Sequence, residues 1–281
     1  MPRSVAIVTD STAHLPLTEV ERHRITVVPL TVVLDGDPVP DGTPEAARRL
    51  ERALRERLPV TTSRPSPETF AAAYRRAAEA GAEAVVSLHL SAEISGTYDA
   101  AVLAGRDAPV PVRVVDSAMV AMALGFSVLA AAETAEAGGT ADEAVAAAVK
   151  RAQSTRAYFY VDTLEHLRRG GRIGAAQALL GSALAVKPLL ELVEGRIEPL
   201  EKVRTAGKAI ARLEELAAAH AGLGAVDVAV HHLAAEERAV ALAERLRDRI
   251  PGAAQVRVSE VGAVLGAHTG PGLLAAVVAP R

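Results

Sequence analysis

The chain has 281 residues with Lys+Arg 31 against Asp+Glu 34, a formal net charge of -3, so it carries no global field to attract a polyanion, and nucleic acid is disfavoured as a partner. Hydrophobic residues make up 50% of the chain but aromatic ones only 2%, so the cores must be built from Ala, Val and Leu, without the aromatic platforms of sugar and single-strand nucleic-acid sites. The absence of cysteine excludes a disulfide framework, a thiolate nucleophile and a cysteine-based metal site, and it suits a reducing cytoplasm.

The length is enough for one large domain or two medium ones, and two is the preferred reading. The apolar run before Asp10 is too short for a signal peptide, and no later segment approaches the length of a bilayer span. A soluble cytoplasmic protein with no stable membrane insertion is expected. In chain order, SVAIVTD has the pattern of a parallel strand opening into a loop, and ITVVPLTVVL reads as a second extended segment. Asp35 to Pro38 and Pro40 to Gly42 read as turns, and PEAARRLERALRERL as an amphipathic helix. PVTTSRPSP is a loop bracketed by prolines, ETFAAAYRRAAEAG a helix, AVVSLHLS a buried strand, and SGTYDAAVLAG a helix starting at Ser95 or Gly96. VRVVDS is a strand leading into the apolar helix AMVAMALGFSVLAAAETAEAG, and a polar helix from Ala141 to about Arg151 ends the first half. This alternation of strand and helix predicts a mostly parallel α/β unit with helices on both faces.

The second half opens with YFYVD, a buried strand whose Asp162 and Thr163 can cap a short helix ending at Gly170 and Gly171. A small apolar helix is expected from Gly174 to Leu184, able to pack on another layer or to line an apolar cavity. LLELV and RIEPL around Glu194 and Gly195 give a hairpin signal, so at least one strand pair is antiparallel. Helix GKAIARLEELAAAHAG, strand AVDVAVHHL, helix AAEERAVALAERLRDRI, strand AQVRVSEVG, the loop LGAHTGPG and strand LLAAVVAP follow. The domains are expected at residues 1–153 and 154–281 and, with no long linker, packed directly on each other.

Three short polar segments fall at strand ends or helix starts: Thr61 to Ser63, Ser95 to Thr97 and His268 to Gly270. In an open α/β sheet such segments gather at one edge, where hydroxyls and helix N-termini hold a small anion through neutral donors. Each also has a plainer role: Ser95 as an N-cap, Thr62 and Ser63 as loop residues beside Pro65, His268 as a turn histidine among glycines. It is their combination that points to a site. Familiar catalytic and nucleotide-binding motifs are absent: there is no G-x-G-x-x-G, no Walker A loop and no G-x-S-x-G elbow. His231 and His232 are neighbours on a strand and point to opposite faces, so they do not ligate one metal together, and Asp35, Asp37 and Asp41 lack the glycine and final glutamate of a calcium loop. No metal site is expected.

The run FYVDTLEHLRRGGRIG with LLGSALAVKPLLEL and GRIEPLEKVRT resembles the central motif of the DegV family, bacterial proteins that bind one long-chain fatty acid. TDSTAHLP is similar to the family's TDSTADLP, TTSRPSP to TSQPSP, EISGTYDAA to LSGTYQSA, VVDS to VIDS and GAHTGPG to THTGPG, in order from about residue 5 to 279. The resemblance implies an α/β protein with an N-terminal three-layer parallel-sheet domain and a C-terminal two-layer domain with a mixed sheet, related to dihydroxyacetone-kinase-like folds. It implies a fatty-acid carboxylate held between the domains by Thr62 and Ser95, with Ser63, the Gly96 N–H and His268 in the network, Arg172 nearby and the acyl tail in an apolar tunnel. By the same resemblance the protein is a carrier with no cofactor and no catalysis of its own, presenting the acid to a separate ATP-dependent fatty acid kinase for phospholipid synthesis, with Arg204 at the docking surface. The alternative from another class is a phosphotransferase or hydrolase using His268. The chain departs from the family pattern at Arg64, where the motif has Gln, at Ala206, where many members carry a basic residue, and around Asp41, which lacks the usual aromatic.

Overall fold

The computed structural model describes residues 4–179 and 187–281. The fold is α/β, with a parallel sheet in the first half and a mixed sheet in the second. Strands β1 (Val5–Asp10), β2 (Thr26–Val28), β6 (Ala84–His89) and β7 (Val112–Asp116) form a four-stranded sheet in the order β2-β1-β6-β7, every pair parallel. The apolar runs foreseen for parallel strands explain it: Val8, Val85, Val86 and Leu88 are fully buried, so both faces need covering. Helices α3 (Pro67–Glu79) and α4 (Thr97–Gly105) cover one face through Phe70, Tyr74 and Ala101, and α5 (Met122–Glu136) and α6 (Ala141–Ser154) cover the other.

The six-stranded sheet runs β10-β9-β8-β13-β11-β12, from β8 (Arg156–Tyr160), β9 (Lys187–Val193), β10 (Arg196–Val203), β11 (Val226–His232), β12 (Ala253–Glu260) and β13 (Leu274–Pro280). Its pairs are antiparallel except β11 with β12. Helices α8 (Ala206–Ala221) and α9 (Glu236–Arg249) pack on its outer face through Leu213, Ala217, Leu242 and Leu246. Its inner face meets α5 and α6, where Ala157, Ala229 and Val277 join the core that holds Met122, Ala144 and Ala148. Alanine on these facing surfaces lets the layers approach closely, which is how a chain almost without aromatics fills its interior.

Several local expectations are corrected. The stretch ITVVPLTVVL is two strands in different sheets, because Pro29, which has no N–H to give a ladder, separates β2 from β3 (Thr31–Leu34). The segments expected as turn and loop, DPVP and VTTS, are β4 (Asp37–Pro40) and β5 (Val60–Ser63), which flank β3 in a three-stranded antiparallel sheet. Their short, polar, proline-containing sequences carry no strand signal of their own, and pairing with β3 supplies it. The expected loop LGAHTGPG overlaps a helix, α10 (Ala263–Thr269), and the apolar helix expected from Ala118 begins four residues later at Met122, after the positive-φ residues Ala118 and Ala121. From Gly174 the chain forms a 3-10 helix to Leu179, and the remainder of the expected helix to Leu184 lies outside the described residues.

This small sheet, with α1 (Leu17–Arg22) and α2 (Pro44–Glu56) near it in the chain, does not share its core with the parallel sheet. Leu30, Val32, Leu34 and Leu50 instead pack with Phe159, Val161, Leu190, Val264 and Leu273 of the second half, beside α7 (Glu165–Arg169) and α10. The two halves of the chain are thereby joined by a shared hydrophobic interior. The β9–β10 turn adds a polar tie: Glu194 and Gly195 have φ of 48° and 80°, the pair of left-handed residues a tight hairpin requires, and the Gly195 carbonyl accepts a 2.7 Å hydrogen bond from Ser91 Oγ. A Cβ at Gly195 would be strained and would run into Ser91 Oγ. Gly195→Ala is therefore expected to lower unfolding free energy by about 1–3 kcal/mol in a urea titration, and unchanged stability would show that the turn does not grip Ser91.

Candidate functional site

A cavity of about 550 Å³ lies where the two sheets and the small sheet converge. Its walls are apolar: Leu90 and Ile94 after β6, Val120 and Ala121 before α5, Phe159, Leu192, Ala275 and Val277 from the mixed sheet, and Val264 and Leu265 from α10. Thr62, Ser63, Arg64, Ser95, Gly96, Arg172 and His268 also border it, so the six residues expected at a binding site and one expected departure meet around a single space. Arg204 is exposed just beyond β10 and is not part of the lining. Thr62 and Ser63 end β5, Ser95 and Gly96 precede α4, and His268 sits in the last turn of α10.

The polar groups are arranged in pairs. Thr62 Oγ1 and His268 Nε2 are 2.8 Å apart, and Ser95 Oγ and Thr97 Oγ1 are 2.9 Å apart. Burial pushes the His268 pKa down to about 4, helped by the Arg172 charge, so the ring is neutral at physiological pH. Its Nδ1 is buried with no hydrogen-bond partner among the described residues. This close placement depends on Gly170, where any Cβ would collide with Nδ1. Arg172 spans the two halves, donating from Nε to the Ile94 carbonyl at 3.0 Å and from Nη1 to the Gly170 carbonyl at 2.7 Å.

Beneath the mouth, a fully buried chain fixes the loop after β6. Asp10 Oδ2 accepts from the Leu90 N–H and lies 3.0 Å from His89 Nδ1, His89 Nε2 is 2.7 Å from Ser87 Oγ, and Tyr74 OH donates to Ser87 Oγ at 2.9 Å. Every member has a partner, as buried polar groups require. Burial raises the Tyr74 pKa to about 12, so the phenol stays protonated as a donor.

The sequence reading did not place His231 at the site. It lines the cavity, takes a 3.2 Å hydrogen bond from the Met122 N–H on Nε2, and lies 3.0 Å from Ser259 Oγ through Nδ1. Because Nε2 accepts, Nδ1 carries the proton. Burial, with His14 adding to it, pushes its pKa down to about 3. Its neighbour His232 pairs with Leu274, part of the core on the outer side of the sheet, so the two rings do part to opposite faces. Strand alternation was the available signal, since a strand end with one apolar face turned inward carries His231 with it. Among the described residues no cluster of His, Asp or Glu is arranged to hold a metal ion, and no helix is long and apolar enough to cross a membrane.

The protein is thus an α/β protein with an apolar cavity between its sheets and hydroxyl, imidazole and guanidinium groups at the cavity mouth. The model of the DegV family of uncharacterised proteins matches residues 4–281. The chain is 72% identical over 281 residues, the full length of both, to the DegV domain-containing protein SCO2569 of Streptomyces coelicolor. It resembles the fatty-acid-binding DegV family protein of Thermus thermophilus with a TM-score of 0.94 and 36% identity, covering 99% of this chain and 100% of that one. It also resembles DegV of Bacillus subtilis, described as a fatty acid binding protein, with a TM-score of 0.90, 35% identity and 99% coverage of both chains. The chain belongs to the DegV family.

The two depressed histidines make acid stability a direct readout of this site. A histidine in the unfolded chain titrates near 6.5, whereas His268 and His231 do so at about 4 and about 3 in the folded state. Below pH 6.5 the unfolded state therefore binds more protons, so the stability they contribute is complete above that value and is lost as pH falls toward 4 and then 3. Urea midpoints measured from pH 7.5 down to 4.5 are expected to fall, less steeply in His268→Gln by about one proton's worth of slope. Parallel profiles for the two proteins would contradict the buried neutral state of His268.

Proposed function

We propose that the protein binds one long-chain fatty acid, with its carboxylate held between residues 1–153 and 154–281 and its acyl tail in the cavity, and presents it to a separate ATP-dependent kinase. The observation that carries this reading is the joining of an apolar cavity of about 550 Å³ to a mouth of hydroxyl, imidazole and guanidinium donors. That volume falls within the roughly 300–1,000 Å³ of small-molecule sites. Enclosing a chain of about sixteen carbons at ~0.8 kcal/mol per CH₂ contributes on the order of 10 kcal/mol before losses. The carboxylate then needs donors to replace its water.

The paired hydroxyls fit that need. A carboxylate only accepts, so Thr62 and Ser95 must each turn their O–H toward it. Thr62 is free to do so when His268 donates to it from Nε2, and Ser95 when Thr97 donates to it, so each hydroxyl is backed by a second donor. The imidazole with Nε2 protonated leaves Nδ1 without a proton, consistent with its lack of a partner among the described residues. In this role Ser63, the Gly96 N–H and Arg172 complete the polar rim. A histidine held at about 4 is a weak base, which favours a donor role for His268 over general-base or nucleophilic work.

Native mass spectrometry of the purified protein, followed by extraction, is expected to show one fatty acid per chain, and a protein that is empty and takes up neither palmitate nor oleate would overturn the reading. Ser95→Ala is expected to weaken fatty-acid binding by about 1–3 kcal/mol, measured by titration calorimetry, and an unchanged affinity would remove Ser95 from the carboxylate site. Arg204→Ala is expected to bind the acid as before but to be used more slowly by a cognate kinase. Equal phosphorylation rates would place the kinase elsewhere.

A further inference from the structure

The mouth of the cavity holds one guanidinium more than a carboxylate requires. Thr62, backed by the neutral His268, and Ser95, backed by Thr97, already supply a donor for each of two oxygens, and Arg172 is engaged by the carbonyls of Ile94 and Gly170. Among the described residues the Arg64 guanidinium has no such engagement. It follows β5, borders the cavity, and lies folded across the start of α4, so close that a Cβ on Gly96 would meet its Nη1 at 2.5 Å and its Cδ and Cζ at 3.2 Å. Among the described residues no carboxylate pairs with it. The cation is thus held at the rim beside Ser95 and Gly96 and the N-terminus of α4, which has no side-chain cap, and no carboxylate among the described residues neutralises it.

We propose that Arg64 is a specificity-determining residue of this mouth, selecting acyl or alkyl ligands whose head group carries a second negative charge, a phosphoryl group in particular, over those with a bare carboxylate. The proposal rests on the amphiphile-binding reading of the cavity. A phosphoryl group presents three acceptor oxygens and about −1.5 to −2 charge near neutral pH. Two oxygens occupy the hydroxyl donors as a carboxylate would, and the third is left facing the rim, where a planar guanidinium matches it in shape and charge.

The test compares palmitate with hexadecyl phosphate, a stable monoester with the same tail, by titration calorimetry on the full chain and on Arg64→Gln and Arg64→Lys. Arg64→Gln is expected to weaken hexadecyl phosphate by about tenfold or more while changing palmitate by less than about twofold, and Arg64→Lys to keep part of the difference as a point charge. Loss of affinity by the same factor for both ligands, or for neither, overturns the role of Arg64 while leaving acyl binding intact. If the unsubstituted protein takes up neither amphiphile, the proposal falls together with the reading of the cavity on which it rests.

Discussion

The loop from Ser91 to Gly96 is gripped from two sides, and the donors at the cavity mouth depend on that grip. From below, buried Asp10 holds the Leu90 N–H and the His89 ring at the end of β6. From the opposite half of the molecule, Gly195 accepts from Ser91, Arg196 pairs with Glu93 at 2.8 Å, and Arg172 donates to the Ile94 carbonyl. Ser95 and Gly96 therefore arrive at the cavity already placed, and the ordering cost that a mobile loop would add to binding is met during folding. The exposed Glu93–Arg196 pair contributes little by itself, and the buried Ser91 bond and the close packing at Gly195 carry most of the constraint.

The same junction explains how polar chemistry is kept inside an interior made largely of Ala, Val and Leu. Each buried titratable group around the cavity is held in its neutral form or answered by a partner. His268 and His231 are kept unprotonated by burial, and His14 is pushed the same way by burial against the opposing pull of Asp41 and Asp10. Asp41 accepts from Ser11 Oγ at 2.8 Å and from the Val264 N–H at 3.1 Å, which fastens the start of α10 and so the helix that carries His268. Net positive charge at the mouth comes from arginines at its exposed rim, Arg64 and Arg172, where water shares the cost of desolvating them. The interior is thus kept neutral while the cationic groups stand at its rim.

Much of this was legible in the chain itself. Runs such as VAIVTD and AVVSLH carry the signature of parallel strands because burial on both faces leaves no polar alternation. The hairpin at Glu194 and Gly195 was readable because a tight turn demands left-handed backbone, and the polar segments around Thr62, Ser95 and His268 were readable as candidate donors by residue type. What could not be read were the strands at VTTS and DPVP and the short helix at AVLGAHT. Their sequences hold proline, glycine and polar residues, and they become regular only through pairing with β3 or packing on Leu50 and Leu233.

The sequence by itself thus determined the α/β class, most of the elements and the chemical types at the mouth, because these follow from local backbone preference and hydrophobic period. Only the tertiary structure decided that residues 30–54 share their core with the second half, that Thr62 and His268 stand within hydrogen-bond reach across 206 positions of chain, and that Arg64 lies over Gly96 instead of turning away to solvent. Those facts depend on which buried surfaces find each other, a choice made by long-range packing and close backbone approach at particular glycines. No periodicity along the chain encodes it.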